Sequence, residues 1–447
     1  MARMALDYAA WLQPDHVPWE WLESLAREER PADFDVPAYR PPPWGKARQR
    51  LTTSQLLVDS GNGAARLHRL LGDHLRDCQR EAASVDSTVV RAERIDKLAK
   101  ERAAGLQHFY DQPPECWPAD RVAVRELVLH WIRTGRKDTT VGRVAGISAT
   151  FEFTLGSFAA GRELAEAAVS ILESNFAESP TSERGDMLIA SLITLGDGQR
   201  WQRQYADAEK TFARGIAVYE EVLAIGGKTT GRLESGVSLC QERLADSIFT
   251  RGARAQEDLA LHVAESCLGI REVRLQSTAN DDTRRGVLTI CVLVAKILLW
   301  RRRAEDLDRA RSLVDRVSGL AVFLSEGVRR SLVVQNNLSE TLAIKSELSE
   351  AASNPVDALV QQRESMAITR DLAQQGATQS FVQLRGFAVS LVRCRDLEIR
   401  VGTPEGSRRH ATEIVSVLNG WVRRGGQLDA FLTRCLEESL SLLSTDA

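Results

Sequence analysis

The segment from Leu188 to Tyr219 constrains the fold of this chain more than any other, because its small and large residues are spaced as in two packed helices. An apolar-periodic run centred on Leu195 and Gly196 precedes a second run that opens at Tyr205. On the second run, residues of one face recur at spacings of four and three: Ala208, Phe212 and Gly215. Small residues let two helices approach closely, and large ones fill the remaining space. The sequence therefore predicts an antiparallel helical hairpin.

The same pattern returns downstream at a long period. The positions equivalent to Leu195 are Leu244, Val294, Leu338 and Cys394, at successive separations of 49, 50, 44 and 56 residues. The residue after the anchor is small in the first four units and is Arg395 in the last. Second helices are predicted at 304–321 and 355–373, with counterparts near Leu259 and Ala411. An earlier unit at 153–172 begins the stack.

The hairpin at 188–219 resembles a tetratricopeptide repeat (TPR), which runs Leu-Gly, an aromatic residue, Ala, Phe or Tyr, and Ala at the same offsets. The whole series resembles bacterial TPR-like arrays whose period lies near fifty, and it covers about 280 of the 447 residues. The resemblance implies an all-α fold, an α-α superhelix (TPR-like solenoid), here preceded by a smaller Trp-rich helical N-terminal region. Such arrays bind partners, so it also implies a protein that is not an enzyme.

Composition agrees with an extended array. At 447 residues the chain is too long for one compact core. Its 58 basic and 61 acidic residues give a net charge of −3, which provides no global field to attract nucleic acid or anionic lipid. The seven cysteines are scattered and never form CxxC, as in reduced core residues of a cytosolic protein.

The sequence also predicts no membrane span and a cytoplasmic location. The first residues lack the long apolar core of a signal peptide, since Asp7 and Gln13 interrupt it. The most apolar window, 286–300, has 15 residues and contains Lys296, so it is too short to cross a bilayer.

The first 118 residues form a different predicted domain. Four of the nine tryptophans lie within the first 44 residues: Trp11, Trp19, Trp21 and Trp44. Rings clustered in a Pro-broken segment predict short helices pinned by aromatic packing. Longer helices are predicted at about 51–80, with a break at Gly61–Gly63, and at 86–110. The Pro-rich segment 111–118 predicts a boundary between residues 1–118 and a solenoid of residues 119–447 with a C-terminal capping helix.

Motifs that could carry chemistry are weak. The segment GGKTTG (226–231) contains Gly-Lys-Thr, but Val222 stands where a phosphate-binding loop needs glycine, so we interpret it as a helix-terminating turn. His74 and Cys78 are four residues apart, yet no further ligand has metal-site spacing. The sequence contains neither HExxH nor GxSxG. We therefore predict no catalytic, cofactor-binding or metal-binding residues.

Arginine pairs recur along the array, as at 284–285, 329–330, 408–409 and 423–424, with a triplet at 301–303. A basic stripe of this kind contacts nucleic-acid phosphates in some proteins. Acidic residues are interspersed throughout, which favours solvated faces and salt bridges between repeats. Nucleic acid is therefore not expected as the partner.

The predicted binding surface is the concave groove lined by the first helix of each repeat. Counting from the anchors, the inward-facing polar and aromatic candidates are Asp197, Arg200, Trp201, Glu242, Asp246, Lys296, Trp300, Asn336 and Glu340. Such groups can hydrogen-bond an extended peptide or a partner helix. The alternative is structural: the tryptophans pack between helices and the acids pair locally. Asn337 matches one asparagine of the carboxylate clamp in chaperone-binding TPR proteins, but the matching Lys and Arg are not in order.

Two functional hypotheses follow. In the first, the chain is a non-enzymatic scaffold or adaptor that binds a protein or peptide in the groove. In the second, it is a sensor or regulatory subunit of a bacterial defence or stress-signalling system. There it would control a separate effector, such as a caspase-like protease, in a hetero-complex.

Overall fold

A computed structural model describes residues 1–35, 43–61, 63–82, 85–106, 120–155, 157–228, 230–375, 381–423, 428 and 430–444. By contacts the chain divides into two compact units, Met1–Cys240 and Gln241–Ala447. The domain boundary predicted between residues 118 and 119 lies within 107–119. That segment is outside the described residues, so the boundary stays a prediction.

The N-terminal part of the first unit combines short helices with a small sheet. Its elements are α1 (Ala2–Ala9), β1 (Val17–Pro18), α2 (Trp19–Glu29), α3 (Pro43–Thr53), β2 (Leu57–Gly61), β3 (Ala64–Leu67), α4 (Arg69–Ala82), α5 (Val85–Leu106) and α6 (Asp120–Arg133). The three strands are antiparallel in the order β1-β3-β2.

The sheet corrects the helix predicted at about 51–80. Gly61 and Gly63 have φ of +77° and +76°, so the chain reverses there and β2 pairs with β3 instead of continuing as a helix. Only the two ends of the predicted stretch are helical: its first residues end α3 at Thr53, and α4 begins at Arg69. The helix predicted at 86–110 is confirmed as α5, and residues 107–110 lie outside the described part.

Tryptophans fix the N-terminal helices, as the clustering of rings predicts. Trp19 and Trp44 pack edge to face with ring centroids 6.4 Å apart. Trp21 is 1% exposed, and its Nε1 donates to the Asp120 carboxylate at 2.9 Å. This bond ties α2 to the start of α6, because a buried indole N–H needs an acceptor.

The rest of the chain is a series of helices packed as hairpins, and the all-α prediction is confirmed. They are α7 (Thr139–Thr154), α8 (Phe158–Glu178), α9 (Ser182–Trp201), α10 (Tyr205–Ala224), α11 (Gly231–Arg251), α12 (Glu257–Ser277), α13 (Asp281–Arg301), α14 (Ala304–Val322), α15 (Glu326–Arg329), α16 (Leu332–Ala351), α17 (Pro355–Gln375), α18 (Phe381–Val401), α19 (Pro404–Arg423) and α20 (Ala430–Ser444). The predicted second helices match α14 and α17, and the early unit predicted at 153–172 covers the end of α7 and most of α8.

The anchors lie on the first helices of the hairpins, where close approach needs small residues. A Cβ built on Gly196 of α9 would lie 2.5 Å from Cε1 of Phe212 on α10, whose ring is 0% exposed. Between α16 and α17, the hydroxyl oxygens of Ser339 and Ser365 meet at 2.9 Å. Small residues therefore set the distance between paired helices, as the pattern at 188–219 predicts.

A buried ion pair closes the α13–α14 turn. Arg302 takes a left-handed conformation with φ of +60°, which ends α13. Asp306 is 0% exposed and accepts from the Arg301 guanidinium at 2.5 and 2.8 Å and from the Arg303 backbone N–H at 3.0 Å. Two arginines of the basic triplet therefore bind Asp306 in the turn between paired helices.

Acid–arginine pairs also join α12 to α14 and to the turn before it, and we call this series the α12–α14 ladder. The acids recur every seven residues on α12, and their partners follow in the next hairpin: Asp258 with Arg301 and Arg303, Glu265 with Arg309, and Glu272 with Arg316. Arg301 lies 2.9 Å from Asp258, and Arg316 lies 2.5 Å from Glu272. Arginines between repeats are thus matched by carboxylates.

None of the described helices is both long enough and apolar enough to cross a lipid bilayer. The apolar window that ends at Trp300 belongs to α13, which is surrounded by other helices of the second unit. Burial between helices accounts for its apolar composition.

Candidate partner-binding face

α13 has one narrow open stripe in an otherwise buried stretch. From Val287 to Leu299 every residue is buried except Thr289 and Lys296, and half-buried Trp300 follows one turn after Lys296. Thr289, Lys296 and Trp300 are separated by seven and four residues, so they lie on one side of the helix. Two of the predicted groove residues therefore share the side of α13 that is not covered by its neighbours.

Side chains of neighbouring first helices converge on this stripe. Phe249 of α11 packs edge to face against Trp300, with centroids 5.5 Å apart and planes at 89°. Lys296 Nζ lies 5.6 Å from the centre of the Phe249 ring and 3.2 Å from Glu340 Oε1 on α16. We call Phe249, Arg254, Lys296, Trp300 and Glu340 the α11–α13–α16 cluster.

Arg254 covers the outer side of this cluster. Its guanidinium lies 5.0 Å from the centre of the Trp300 ring and donates to the Trp300 carbonyl oxygen at the end of α13. The Arg254 side chain is 59% exposed and that of Glu340 is 48% exposed. The cluster thus presents two cations, an acid and two aromatic rings that solvent partly reaches.

The remaining candidates of the second unit differ in position. Glu242 is 6% exposed and pairs with Arg271 of α12 at 2.7 Å, so it joins the two helices of a hairpin. Asp246 is half-buried on α11, and Asn336 is exposed on α16. Asn337, compared above with a carboxylate clamp, is buried and donates to Thr289 Oγ1 at 2.9 Å.

In the first unit, three predicted candidates lie together at the end of α9. Arg200 Nη1 lies 3.2 Å from Asp197 Oδ1, one helical turn away. Trp201 is 46% exposed and packs edge to face on Phe153 of α7, with centroids 5.9 Å apart. Gly198 allows this contact, because a Cβ there would overlap the Phe153 ring. Trp201 thus packs between helices, as the structural alternative predicts, and part of its ring is also open to solvent, as a binding role requires.

Sequence reasoning missed Phe249 and Arg254. Phe249 follows Asp246 by three residues on α11, so extending the count from the anchor by one turn would have found it. Arg254 lies beyond Gly252, whose φ of +71° redirects the chain after the helix. No periodic signal continues through such a turn.

The other motifs have structural roles or lack further ligands. α10 ends at Ala224, Gly226 has φ of +70°, and the Gly227 N–H donates to the Val222 carbonyl at 3.0 Å, as in a helix-terminating turn. Thr229 of that segment lies outside the described residues. Cys78 Sγ is 3.5 Å from His74 Nε2, and the described part of the chain contains no group of three or more His, Cys, Asp or Glu arranged for a metal ion.

Several arginines of the predicted basic pairs have acidic partners. Arg285 pairs with Asp282 at 3.0 Å, and Arg330 pairs with Glu326 at 2.5 Å. Arg424 lies outside the described residues. Pairing of this kind reduces the positive charge available to a phosphate.

No family model matches this chain, and no curated protein matches it by sequence. Among solved structures it is similar to BtubC (BKLC) from P. vanneervenii, with a TM-score of 0.41 and 13% identity over 60% of this chain and 92% of that one. It is also similar to the assembly chaperone of RpL4 (Acl4, residues 1–338), with a TM-score of 0.37 and 16% identity over 69% and 99% of the two chains.

A third similar structure is a signal transduction ATPase with numerous domains (STAND) that carries a tetratricopeptide repeat sensor, from Pyrococcus horikoshii. Its TM-score is 0.35 and its identity 11%, over 100% of this chain and 63% of that one. The fold assignment rests on the helix packing described above.

Proposed function

We propose that this chain is a non-enzymatic scaffold that binds an extended peptide or partner helix on the α11–α13–α16 cluster. The observation that carries the proposal is the convergence of three first helices on a partly open face, beside a stretch of α13 that is otherwise buried. A lysine at that position gains nothing from burial, whereas a binding face needs polar groups that solvent or a partner can reach.

The chemistry of the cluster suits protein recognition. Trp and Arg are the residues that most often dominate interface energies, and they do so where aromatic rings are held rigid. Trp300 is held by Phe249 on one side and by Arg254 on another. Lys296 and Glu340 supply one donor and one acceptor next to these rings, so the face can pair with the backbone and charges of a peptide.

The regulatory hypothesis uses the same face and differs in what binds there. A sensor or regulatory subunit would hold a separate effector, whereas an adaptor would hold a client protein. Either role places the chain in the bacterial cytoplasm as part of this proposal. The identity of the bound protein separates the two.

The test is quantitative co-purification from lysate with matched variants. We expect Trp300→Ala and Glu340→Lys to reduce the recovered partner about tenfold or more, since hot-spot changes cost about 2 kcal/mol or more. The controls are Phe323→Ala, an aromatic residue 69% exposed on the same unit, and Glu305→Lys, an exposed acid at the start of α14. Both controls should recover the parental amount.

Melting temperatures are measured alongside, because Trp300→Ala also removes packing against Phe249. Glu340→Lys keeps the apolar contacts and repels Lys296 only at an exposed position, so its effect reports on the face itself. Equal recovery by parent, Glu340→Lys and Trp300→Ala would refute the assignment of this face.

A further inference from the structure

A cleft of about 440 Å³ lies in the first unit between α4, α5, α6 and the residues after α1. Its volume is within the range of small-molecule sites, about 300–1,000 Å³. None of its lining residues belongs to the α11–α13–α16 cluster. The cleft therefore raises a separate question about binding.

One wall of the cleft is apolar and aromatic. Val89, Ala92 and Ile95 lie along one side of α5, and the indoles of Trp11 and Trp131 also line the space. Trp11 is held in place because its Nε1 donates to Gln79 Oε1 at 2.7 Å. Trp131 is held by the Arg136 guanidinium, 4.5 Å from its ring centre. Rigid rings of this kind offer a flat ligand stacking area at little cost in entropy.

Another part of the lining is polar, and its cation Arg76 is held by the Asp73 carboxylate and the Ala10 carbonyl oxygen. His130 lines it together with Arg76, whose side chain is 16% exposed. Burial lowers the pKa of His130, the guanidiniums of Arg76 and Arg133 lower it further, and only Asp73 acts in the opposite direction. Among the described residues the imidazole has no hydrogen-bond partner. It is therefore neutral at pH 7, with a free N–H donor where the two guanidiniums outweigh Asp73.

The acids around the cleft are paired or exposed, and Asp73 is the partner of Arg76. Asp96 is neutralised by Arg136, whose Nη1 lies 2.7 Å from Asp96 Oδ1. Glu93 is exposed on α5, where water screens its charge. The unpartnered N–H of His130, next to the Arg76 guanidinium that Asp73 holds in place, thus suits an anionic acceptor, and the α5 wall suits an apolar ring.

We propose that this cleft binds a small aromatic acid, with its ring against Trp11, Trp131 and the α5 wall and its carboxylate at His130 and Arg76. The apolar wall selects the ring of the ligand, and the polar part of the lining selects its carboxylate. A neutral analogue of the same shape keeps the ring contacts and loses the charge-assisted hydrogen bond.

The test compares 1-naphthoate with 1-naphthamide by isothermal titration calorimetry on the full chain. We expect 1-naphthoate to bind at least about tenfold more tightly than 1-naphthamide, which is the difference that one charge-assisted hydrogen bond makes. Ala92→Phe fills the cleft and should weaken naphthoate binding at least about tenfold, and His130→Gln should abolish the preference for the acid. The matched controls are Ala159→Phe on α8 and His262→Gln on α12, both at exposed positions. Both should bind as the parent does.

NMR titration of the His130 ring provides a site-specific measurement that does not depend on any variant folding. The pKa of His130 should rise when naphthoate binds and stay unchanged with naphthamide. The proposal would be overturned if neither probe binds, if both bind equally, or if the pKa of His130 is unchanged in the naphthoate complex. So would a folded Ala92→Phe protein that binds naphthoate like the parent.

Discussion

Replacing Gly196 with alanine tests the helix pairing at a position where an added Cβ has no space. The added Cβ would lie 2.5 Å from Cε1 of Phe212. Carbon atoms pack at about 3.5–4.0 Å, so the ring must move by roughly 1 Å. Phe212 is 0% exposed and has no solvent-filled space to enter. Overpacking of this kind costs about 1–3 kcal/mol.

The same substitution also improves helix propensity, which stabilises the variant by about 1 kcal/mol. Gly269→Ala separates the two effects. Gly269 lies in the middle of α12, and a Cβ built there meets nothing within 4 Å. The Gly269→Ala variant therefore gains the helix propensity of alanine without a steric clash. The difference between the two variants, each compared with the parent, should therefore be about 1–3 kcal/mol.

The assay is amide hydrogen exchange, read separately for α9–α10 and for α12, with urea unfolding followed by circular dichroism. Local readings are needed because the two glycines lie in different units. A Phe212→Leu change in the Gly196→Ala background should recover part of the loss, since a smaller side chain relieves the contact. If Gly196→Ala stabilises α9–α10 as much as Gly269→Ala stabilises α12, the close packing of these helices is wrong.

Three further predictions test other features. Hydrogen bonds from Arg301 lower the pKa of Asp306, so the stability that this carboxylate contributes is present above its unfolded pKa and is lost as pH falls below about 4. Asp306→Asn should cost about 3 kcal/mol at pH 7 and flatten that part of the acid-unfolding curve, and an unchanged curve would contradict the buried pair. Burial raises the pKa of Cys240 and of Cys267 to about 12, so at pH 8 both should be alkylated only after unfolding, as peptide mass spectrometry can determine. The groove predicted from the sequence is tested by reversing the charge of three of its acids together: Asp197→Lys, Asp246→Lys and Glu340→Lys. This triple variant should bind the partner more weakly with little change in melting temperature, and equal binding would contradict the predicted groove.

The helical array was predictable because its signal is periodic. The spacing of Ala208, Phe212 and Gly215 reports one face of a helix, and that face is buried in the structure. The β-hairpin at 57–67 was not predicted, since its strands are short and it depends on two glycines in left-handed conformations. Local backbone geometry of that kind outweighs an apolar pattern that fits a helix equally well.

The candidate site was predictable only in part. Lys296, Trp300 and Glu340 were identified from their distance to the anchors, and the structure brings them together. Glu242 was identified by the same count, but it precedes its anchor by two residues, whereas Lys296 and Glu340 follow theirs by two, and it is buried against Arg271. A shift of one residue along the sequence rotates a side chain by about 100° around the helix axis. That rotation decides whether an acid lies on the open side or faces the partner helix, and a degenerate repeat does not specify it.

The α12–α14 ladder has a consequence for how these helices find their alignment. Each exposed pair contributes only about 0.2–1 kcal/mol, so the ladder adds little to stability. Its acids recur every seven residues, whereas apolar side chains tolerate a slide of one helical turn. A slide of one turn would separate all three acids from their arginines at once and leave the charges unmatched. The charges therefore select one alignment of these helices among several that apolar contacts alone would permit.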